Sequence, residues 1–348
     1  MRTTPFLAAL AVLFVFCSAH GQSPTTTTLD VPFEVFTLDP SQCQVFAYYT
    51  GSQFLIEPGS FVTQRGAPVT GPVTVKYREL HGPAEIIAAG LSMKAEVSGK
   101  RVHLETAGMF EIRAEQGGQP LQLAPGKRIR VRMASRIPDA PGLAVYRYAD
   151  GIWQPTGSAF KTRDQDPSAQ QAASPEVWDD GAEYGETPQE GFNDYSDDWG
   201  YDVGDEGYDP NYVAYQTQVF RDLEIDQMGI YNYDAIYDEA NAQRIAASFT
   251  VGGKPLAGAE VFVVYRGRNS VFSFPDYDWK DRFYLLADES ATLFAIERKT
   301  QKLFVFPEGQ WANLNVATLG GKAHTFELQP LADAITSPAQ LRTVVGIN

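Results

Sequence analysis

The sequence predicts a mainly β protein, with two antiparallel β-sandwich domains of the immunoglobulin-like or prealbumin-like kind and a short C-terminal helix. Short runs in which apolar and polar residues alternate, separated by Gly and Pro, are typical of strands with one buried face and one wet face. One acidic stretch divides these runs into two groups. The length of 348 residues and an apolar fraction of 44% fit two domains, each with its own core.

Residues 1–21 have the layout of a secretory signal peptide. Arg2 precedes the apolar run FLAALAVLFVF, and the small residues Ala19 and Gly21 predict cleavage before Gln22. Eleven consecutive apolar residues are too few to span a bilayer as a helix. The sequence therefore predicts an exported protein without a transmembrane segment after cleavage.

Cys17 offers an alternative, because a lipid-modified cysteine would anchor the chain to a membrane. The residue before such a cysteine is normally small, whereas Phe16 is bulky, so we do not expect a lipoprotein. Without Cys17, Cys43 is the one cysteine of the mature chain, which excludes a disulfide scaffold. The simplest interpretation of Cys43 is a small buried hydrophobic residue in a strand.

The first domain is predicted to cover residues 22–160, after a polar, Thr-rich start. A short helical turn is expected at Ala84–Ala89, and the rest of the domain is expected to be strands and turns. Strands are predicted where the alternation is strict, at Val73–Tyr77, Val102–Thr106, Phe110–Ala114 and Ile129–Met133.

The second domain is predicted to cover residues 213–348 and to end in a helix. Ser337 and Gln340 form a capping box and Gly346 is a stop signal, so the helix is expected over Pro338–Val345. The strand candidates are Val219–Ile225, Arg244–Val251, Glu260–Tyr265, Ser270–Phe274, Phe283–Ala287, Thr292–Ile296, Lys302–Phe306 and His324–Leu328.

The dividing stretch is predicted to be a disordered acidic linker over residues 161–212. Within it, Asp164–Asp209 holds fifteen Asp and Glu and no Lys or Arg, which accounts for the whole net charge of -15. Chains of this composition repel themselves and act as spacers. Clustered carboxylates are also ligands for hard cations, but no twelve-residue calcium loop fits, so cation binding by the linker stays open. Aromatic residues are spread among the acids, at Trp178, Tyr184, Phe192, Tyr195, Trp199, Tyr201 and Tyr208.

Two longer stretches of the chain match patterns known from other proteins. The first is GSQFLIEPGSFVTQRGAPVTGPVTVKYREL, followed by ETAGMFEIRAEQGGQPLQLAPGKRIRVRM, and the second is FRDLEIDQMGIYNYD. They resemble modules of uncharacterised secreted or cell-envelope β-sandwich proteins of Bacteroidota. The resemblance implies β-sandwiches and a Gram-negative envelope location, whether periplasm, outer-membrane surface or extracellular space. It implies no activity and no site residues, and Tyr233 stands where these proteins often have Cys.

The sequence contains no familiar catalytic signature. It lacks a G-x-S-x-G elbow, a P-loop, an H-E-x-x-H pair and a C-x-x-C pair. Two i, i+2 pairs, Glu79 with His81 and His103 with Glu105, would each share one face of a strand. If these strands were neighbours, the four side chains would form a site for a divalent ion. The alternative is an outer, solvated strand face that carries polar residues.

Two surfaces are candidates for binding. The polar side of the first domain's strands would form a basic face, suited to the acidic linker itself or to an anionic envelope polysaccharide, although a solvated charged face explains it equally well. Exposed aromatic residues of the second domain, Tyr277, Trp279 and Trp311, would suit a glycan. The residues of the basic face are Lys76, Arg78, Arg113, Arg128, Arg130 and Arg132.

Together these observations predict a non-catalytic exported envelope protein that binds or spaces other cell-surface components. A glycan-binding accessory protein and a metal-dependent hydrolase are the alternatives. The expected partner is an envelope protein or an anionic polysaccharide. No cofactor is expected, and an acidic, exported chain is a poor candidate for nucleic-acid binding.

Overall fold

The structure, a computed structural model, describes residues 29–164 and 219–347, except residues 238 and 288. As the sequence predicts, this part of the chain is mainly β, with sheets stacked in sandwich-like layers and few, short helices. Within it, no helix has both the length and the apolar character needed to cross a membrane. The predicted acidic linker lies almost entirely outside the described residues.

The first sandwich has a central sheet and an outer sheet, with strands numbered in chain order. In strand order, the central sheet consists of β1 (Glu34–Leu38), β5 (Val73–Leu80), β7 (Lys100–Gln116), β14 (Gly229–Ile236), β10 (Ala144–Ala149), β11 (Ile152–Pro155) and β6 (Lys94–Val97), and β6 also pairs with the start of β7. The outer sheet consists of β12 (Phe160–Asp164), β13 (Val219–Ile225), β9 (Ile129–Ser135), β3 (Gln53–Ile56) and β2 (Gln44–Ala47). The short strands β4 (Phe61–Thr63) and β8 (Gln119–Leu123) pair with each other, and β8 continues from β7.

The second sandwich is formed by one curled sheet and a short pair of antiparallel strands. Side chains from both ends of the curled sheet, such as Phe249 and Phe272, share one core, so the sheet wraps around it. From edge to edge, the curled sheet consists of β17 (Lys254–Pro255), β16 (Ala246–Val251), β23 (Ala323–Ala332), β22 (Leu303–Val305), β21 (Ala291–Glu297), β18 (Ala259–Tyr265) and β19 (Phe272–Pro275). The short pair consists of β15 (Ala242–Arg244) and β20 (Tyr284–Leu286).

The strands that follow the acidic stretch complete the first sandwich. β13 lies between β12 and β9 in the outer sheet, and β14 lies between β7 and β10 in the central sheet. The division predicted at residue 213 instead assigns both strands to the second domain. The alternating pattern of β13 specifies a strand with one buried face but not the sheet that the strand joins, because pairing partners are distant in sequence.

The same pairing fixes the two ends of the acidic stretch. β12 and β13 are antiparallel neighbours, and Asp164 is the register partner of Val219. The chain therefore leaves the outer sheet after Asp164 and re-enters it at Val219, its neighbour in the ladder. A segment with this connection is an insertion in the first sandwich, and its ends do not set the distance between the two sandwiches.

β7 is one long strand where the sequence predicts two. Leu104 faces the second sandwich and Phe110 faces the core of the first, although two residues six positions apart share a face in a regular strand. The change of face occurs at an irregularity in the pairing of β7 with β14, next to Asn232 and Asp234. Gly108 lies in this bulge with a φ of 131°, and a Cβ there would clash with Met133. The bulge thus shifts the alternation of inward and outward side chains in β7 by one residue. As a result, one strand contributes side chains to two cores.

A third core, called the interface core here, joins the two sandwiches. It packs side chains of the central sheet and of helix α1 (Pro83–Ala88) against strands of the second sandwich, for example Leu80 and Trp153 with Phe262 and Phe294. The C-terminal helix also joins this core through Leu341. The central sheet is therefore buried on both of its faces, which makes the two sandwiches one packed body.

The C-terminal helix has the predicted bounds. Helix α2 (Glu308–Trp311) is a single turn, and helix α3 covers Pro338–Val345. The Ser337 hydroxyl accepts a hydrogen bond from the Gln340 backbone N–H at 3.2 Å, and Gly346 ends the helix in a left-handed conformation. The prediction of this helix is confirmed, because its start and stop signals are local.

We expect removal of the acidic stretch to stabilise the fold. If Asn-Gly replaces residues 165–218, the loop between β12 and β13 falls from 54 residues to two, which lowers the entropy cost of loop closure by about 1–3 kcal/mol. The free energy of unfolding in urea should rise by about this amount, with the same dependence on denaturant. A matched variant with about eight Gly and Ser residues should gain less. A free energy of unfolding that is lower in both variants than in the full chain would contradict the interpretation of this stretch as an insertion.

Candidate functional site

The bulge of β7 is the place where buried polar side chains concentrate. The Thr106 hydroxyl donates to Asn232 Oδ1 at 2.6 Å and accepts from the Gly108 N–H at 2.9 Å. Asn232 Nδ2 in turn donates to the Asp234 carboxyl group. Asp234 is completely buried, and this burial raises its pKa well above the ordinary value. The cluster thus contains an acid that is held in its neutral form more readily than in water.

A loop of the second sandwich completes this cluster from the other side. Asn269 Nδ2 donates to the backbone carbonyls of His81 and Thr106, at 3.0 and 2.9 Å, and the Asn269 carbonyl accepts from the Thr106 N–H. The Ser270 hydroxyl donates to the Leu104 carbonyl at 2.6 Å. Because a buried carbonyl without a donor is costly, these bonds fix the second sandwich to β7. The loop 267–271 is called the docking loop below.

His103 is part of the same contact. Its Nε2 lies 2.8 Å from the Ser270 hydroxyl oxygen, and its ring stacks on Phe272 with 3.6 Å between the ring centroids. Since the Ser270 hydroxyl hydrogen goes to the Leu104 carbonyl, this oxygen accepts and His103 carries its proton on Nε2. Burial lowers the pKa of His103 to about 3. The imidazole is therefore neutral at ordinary pH and acts as a structural contact.

A second buried network lies at the end of β5. The Glu79 carboxylate accepts hydrogen bonds from the Tyr77 and Thr50 hydroxyls, and His81 Nε2 contacts it as well, each at 2.7 Å. Glu34 lies near this carboxylate on the neighbouring strand β1. Burial and the charge of Glu79 together raise the pKa of Glu34 to about 7. Two carboxyl groups with different environments thus share one end of the first sandwich.

The predicted metal ligands are separated into different contacts. Glu79 and His81 do share a face and touch, as their spacing predicts. His103 binds Ser270, however, and Glu105 pairs with Arg268 at 3.2 Å. Within residues 29–164 and 219–347, no three His, Cys, Asp or Glu side chains are grouped so that they could hold a metal ion. The reason is that β7 carries the second pair toward the second sandwich.

The predicted basic face is divided between two surfaces that point in opposite directions. Three of its residues lie on the central sheet and three on or beside β9 of the outer sheet, each set turned away from the core between the sheets. Arg78 is only 5% exposed and has a carboxylate on either side. The other pairs are Lys76 with Glu115, Arg113 with Glu111, Arg128 with Glu224, Arg130 with Glu57 and Glu224, and Arg132 with Asp222. Each cation is thus compensated by a neighbouring carboxylate.

The predicted aromatic residues do not form a single patch. Tyr277 is 75% exposed, but Trp279 is buried, donates from Nε1 to the Phe274 carbonyl at 2.8 Å and packs in the second core. Trp311 is half-buried against Phe306. Cys43 also differs from its interpretation as a buried strand residue, because it is half-buried in the turn before β2.

A cleft of about 400 Å³ opens between the two sandwiches. Its position at a domain interface is a common one for small-molecule sites. Two acids and two arginines contribute to its lining, so the cleft has no dominant charge. Residues from both sandwiches form its walls, among them Leu29, Arg78, Ile87, Glu260, Phe262 and Arg298.

Sequence reasoning missed the residues that carry the contact between the sandwiches. Asn269 and Ser270 fall in a turn-like run, RGRNS, which indicates a loop but not its partner. Asn232 and Asp234 lie in GIYNYD, where two polar residues at i and i+2 share a strand face between aromatic residues. That spacing is the one signal that could have placed a buried polar pair on β14.

Comparisons of the chain with protein-family models, with curated protein sequences and with solved structures gave no match.

We expect Asn269→Ala to destabilise the protein by about 1–3 kcal/mol, because the Thr106 carbonyl loses the Asn269 side-chain donor and the His81 carbonyl keeps only its bond from Arg136. Urea unfolding monitored by circular dichroism measures the change. Asn313→Ala is the matched control, since its side chain makes an exposed bond within one turn. Equal effects of the two substitutions would contradict the role of the docking loop.

His103 should make the protein less stable in acid. Its pKa is about 3 in the folded protein and about 6.5 in an unfolded chain, so its contribution to stability is complete above about pH 6.5 and is lost as pH falls toward 3. In this window the free energy of unfolding should fall by up to about 1.4 kcal/mol per pH unit through His103 alone. His103→Gln should show a shallower slope in urea unfolding at a series of pH values. An unchanged slope would contradict the assignment.

Proposed function

We propose that the chain is a non-catalytic, exported envelope protein that binds or spaces other cell-surface components as one rigid body of two sandwiches. The observation that carries the proposal is the interface core together with the docking loop, which fixes both sandwiches relative to each other. A rigid body of this kind holds its surfaces at a constant separation, as a binding or spacing protein requires. Export and the envelope location are supported by the signal-like start of the sequence and by the resemblance of its two modules.

The buried titratable groups support a structural role. His103 binds Ser270 across the interface, Glu79 accepts three contacts within the first sandwich, and Asp234 is tied to Asn232. Each of these groups is engaged in packing that holds strands together. Because the side chains best suited to proton transfer are engaged in structural contacts, we favour a binding protein over the metal-dependent hydrolase.

The distribution of charge favours an envelope protein as the partner over an anionic polysaccharide. The candidate basic residues are compensated by carboxylates within their own sheets, and the excess charge of -15 arises in Asp164–Asp209. A partner with a basic or neutral surface matches this charge. The glycan-binding alternative is not favoured, because Trp279 lies in the core. It therefore does not join the exposed Tyr277 in an aromatic surface patch.

The proposal predicts that the full chain retains proteins from envelope fractions and releases them with salt. Exposed charges are screened over about 8 Å at physiological ionic strength, so a charge-dependent complex should weaken as salt is raised. Pull-downs with the full chain, identified by mass spectrometry at low and high salt, measure this.

Two variants sharpen the experiment. One replaces residues 165–218 with Asn-Gly, and the other keeps their length but changes every Asp and Glu among them to Asn and Gln. Loss of the partner in both variants assigns the binding to charge, and loss in the first alone assigns it to the aromatic composition. Retention of envelope polysaccharide in place of protein, or no retention by the full chain, would overturn the proposal.

A further inference from the structure

Strand β1 is attached to the first sandwich along one side only. It is an edge strand of the central sheet and pairs with β5 alone, from Glu34 opposite Tyr77 to Leu38 opposite Val73. The residues before it cross the outer side of the sheet, where Arg78 binds Asp30 and the Val31 carbonyl, each at 2.7 Å. Residues 29–38 thus form a continuous strap over one side of the sandwich, called the N-terminal strap here.

The inner face of the strap is apolar except for one carboxyl group. Side chains at alternate positions of β1 point to the same side, so Glu34, Phe36 and Leu38 all face the sandwich. Leu38 is fully buried, and the Phe36 ring packs edge-on against Phe46 and Phe54, with centroids 5.2 and 5.3 Å away. Glu34 is therefore the one titratable side chain among the three inward-facing residues of β1.

The groups that Glu34 faces include the Glu79 carboxyl group, which His81 also contacts. On β5 these groups are Tyr77, opposite it in register, and Glu79. The turn between β2 and β3 contributes Tyr48, whose ring lies 5.0 Å from that of Tyr77, and Thr50, which binds Glu79. Among the residues that the structure describes, no cation forms an ion pair with Glu34.

The Glu79 carboxyl group is buried among polar side chains, close enough to affect Glu34. Tyr77, Thr50 and His81 all bind the Glu79 carboxylate, and it is completely buried. A carboxylate on the partly buried Glu34 repels the buried Glu79 carboxylate, because burial reduces the screening of charge by water. Burial and this repulsion raise the pKa of Glu34 to about 7.

We propose that Glu34 and Glu79 form a pH-sensitive latch that holds the N-terminal strap on the first sandwich. With a proton on Glu34, the strap is docked. Loss of that proton adds a negative charge near Glu79, and the strap detaches more often, because β1 has a neighbour on one side only. Detachment frees the outer edge of β5 and the wall of the cleft to which Leu29 and Asp30 belong.

The direction of the pH dependence follows from the raised pKa. A carboxyl group that binds its proton more tightly in the docked state stabilises docking fully below its ordinary pKa, about 4.5. This stabilisation is lost as pH rises through about 7. The latch is thus closed in mildly acidic surroundings and weakened in mildly alkaline ones.

Hydrogen exchange of the full chain at about pH 5.5 and about pH 8 tests the latch, after correction for the intrinsic pH dependence of exchange. The opening equilibrium of the β1 amides should rise on the order of tenfold between these conditions. Glu34→Gln should abolish this rise and keep the strap as protected at the higher pH as at the lower. Glu96→Gln is the matched control and should behave like the unmodified chain, because Glu96 is an exposed acid on β6, a strand of the same sheet that does not pair with β1.

Two outcomes would overturn the proposal. One is a β1 opening equilibrium that does not change with pH in the unmodified chain. The other is a pH dependence that persists unchanged in Glu34→Gln. An equal response of the β6 amides would assign the effect to the whole sandwich and would likewise contradict a local latch.

Discussion

The structure depends on the pairing of two strands with partners that precede them by a long stretch of chain. β13 and β14 are interior strands, one in each sheet of the first sandwich, and both follow the acidic stretch. Without them the outer sheet loses the link between β12 and β9, and the central sheet loses the strand that pairs with both β7 and β10. The acidic stretch is therefore held at both ends by the sandwich that it interrupts, and the two sandwiches are connected directly after β14.

The central sheet carries the second constraint, because it serves two cores. The bulge at Gly108 lets β7 present Leu104 to the interface core and Phe110 to the core of the first sandwich. A bulge leaves backbone groups that the regular ladder does not satisfy, and here the Thr106 hydroxyl and the docking loop supply their partners. Packing and polar contacts thus act together at one place, which explains why the sandwiches form a single body.

The sequence predicts the features that local patterns encode. The class of fold, the bounds of β13 and the bounds of the C-terminal helix agree with the structure, since alternation and capping are properties of a few neighbouring residues. The partners of β13 and β14 could not be predicted, because a strand pattern does not name the strand beside it. Trp279 and Arg78 illustrate the same limit, since composition suggests exposure for both and only the tertiary packing buries them. The latch residue Glu34 also escaped notice, because its environment is formed by Glu79 on another strand.

The central claim is that the chain on both sides of the acidic stretch forms one sandwich, and the isolated segment 22–164 tests it most directly. Its amide NMR spectrum should lack the dispersion of a folded β protein, because β13 and β14 are missing from the interior of both sheets. Addition of a second polypeptide with residues 219–348 should restore a dispersed spectrum in a one-to-one complex. A dispersed spectrum and cooperative unfolding of 22–164 alone would contradict the account.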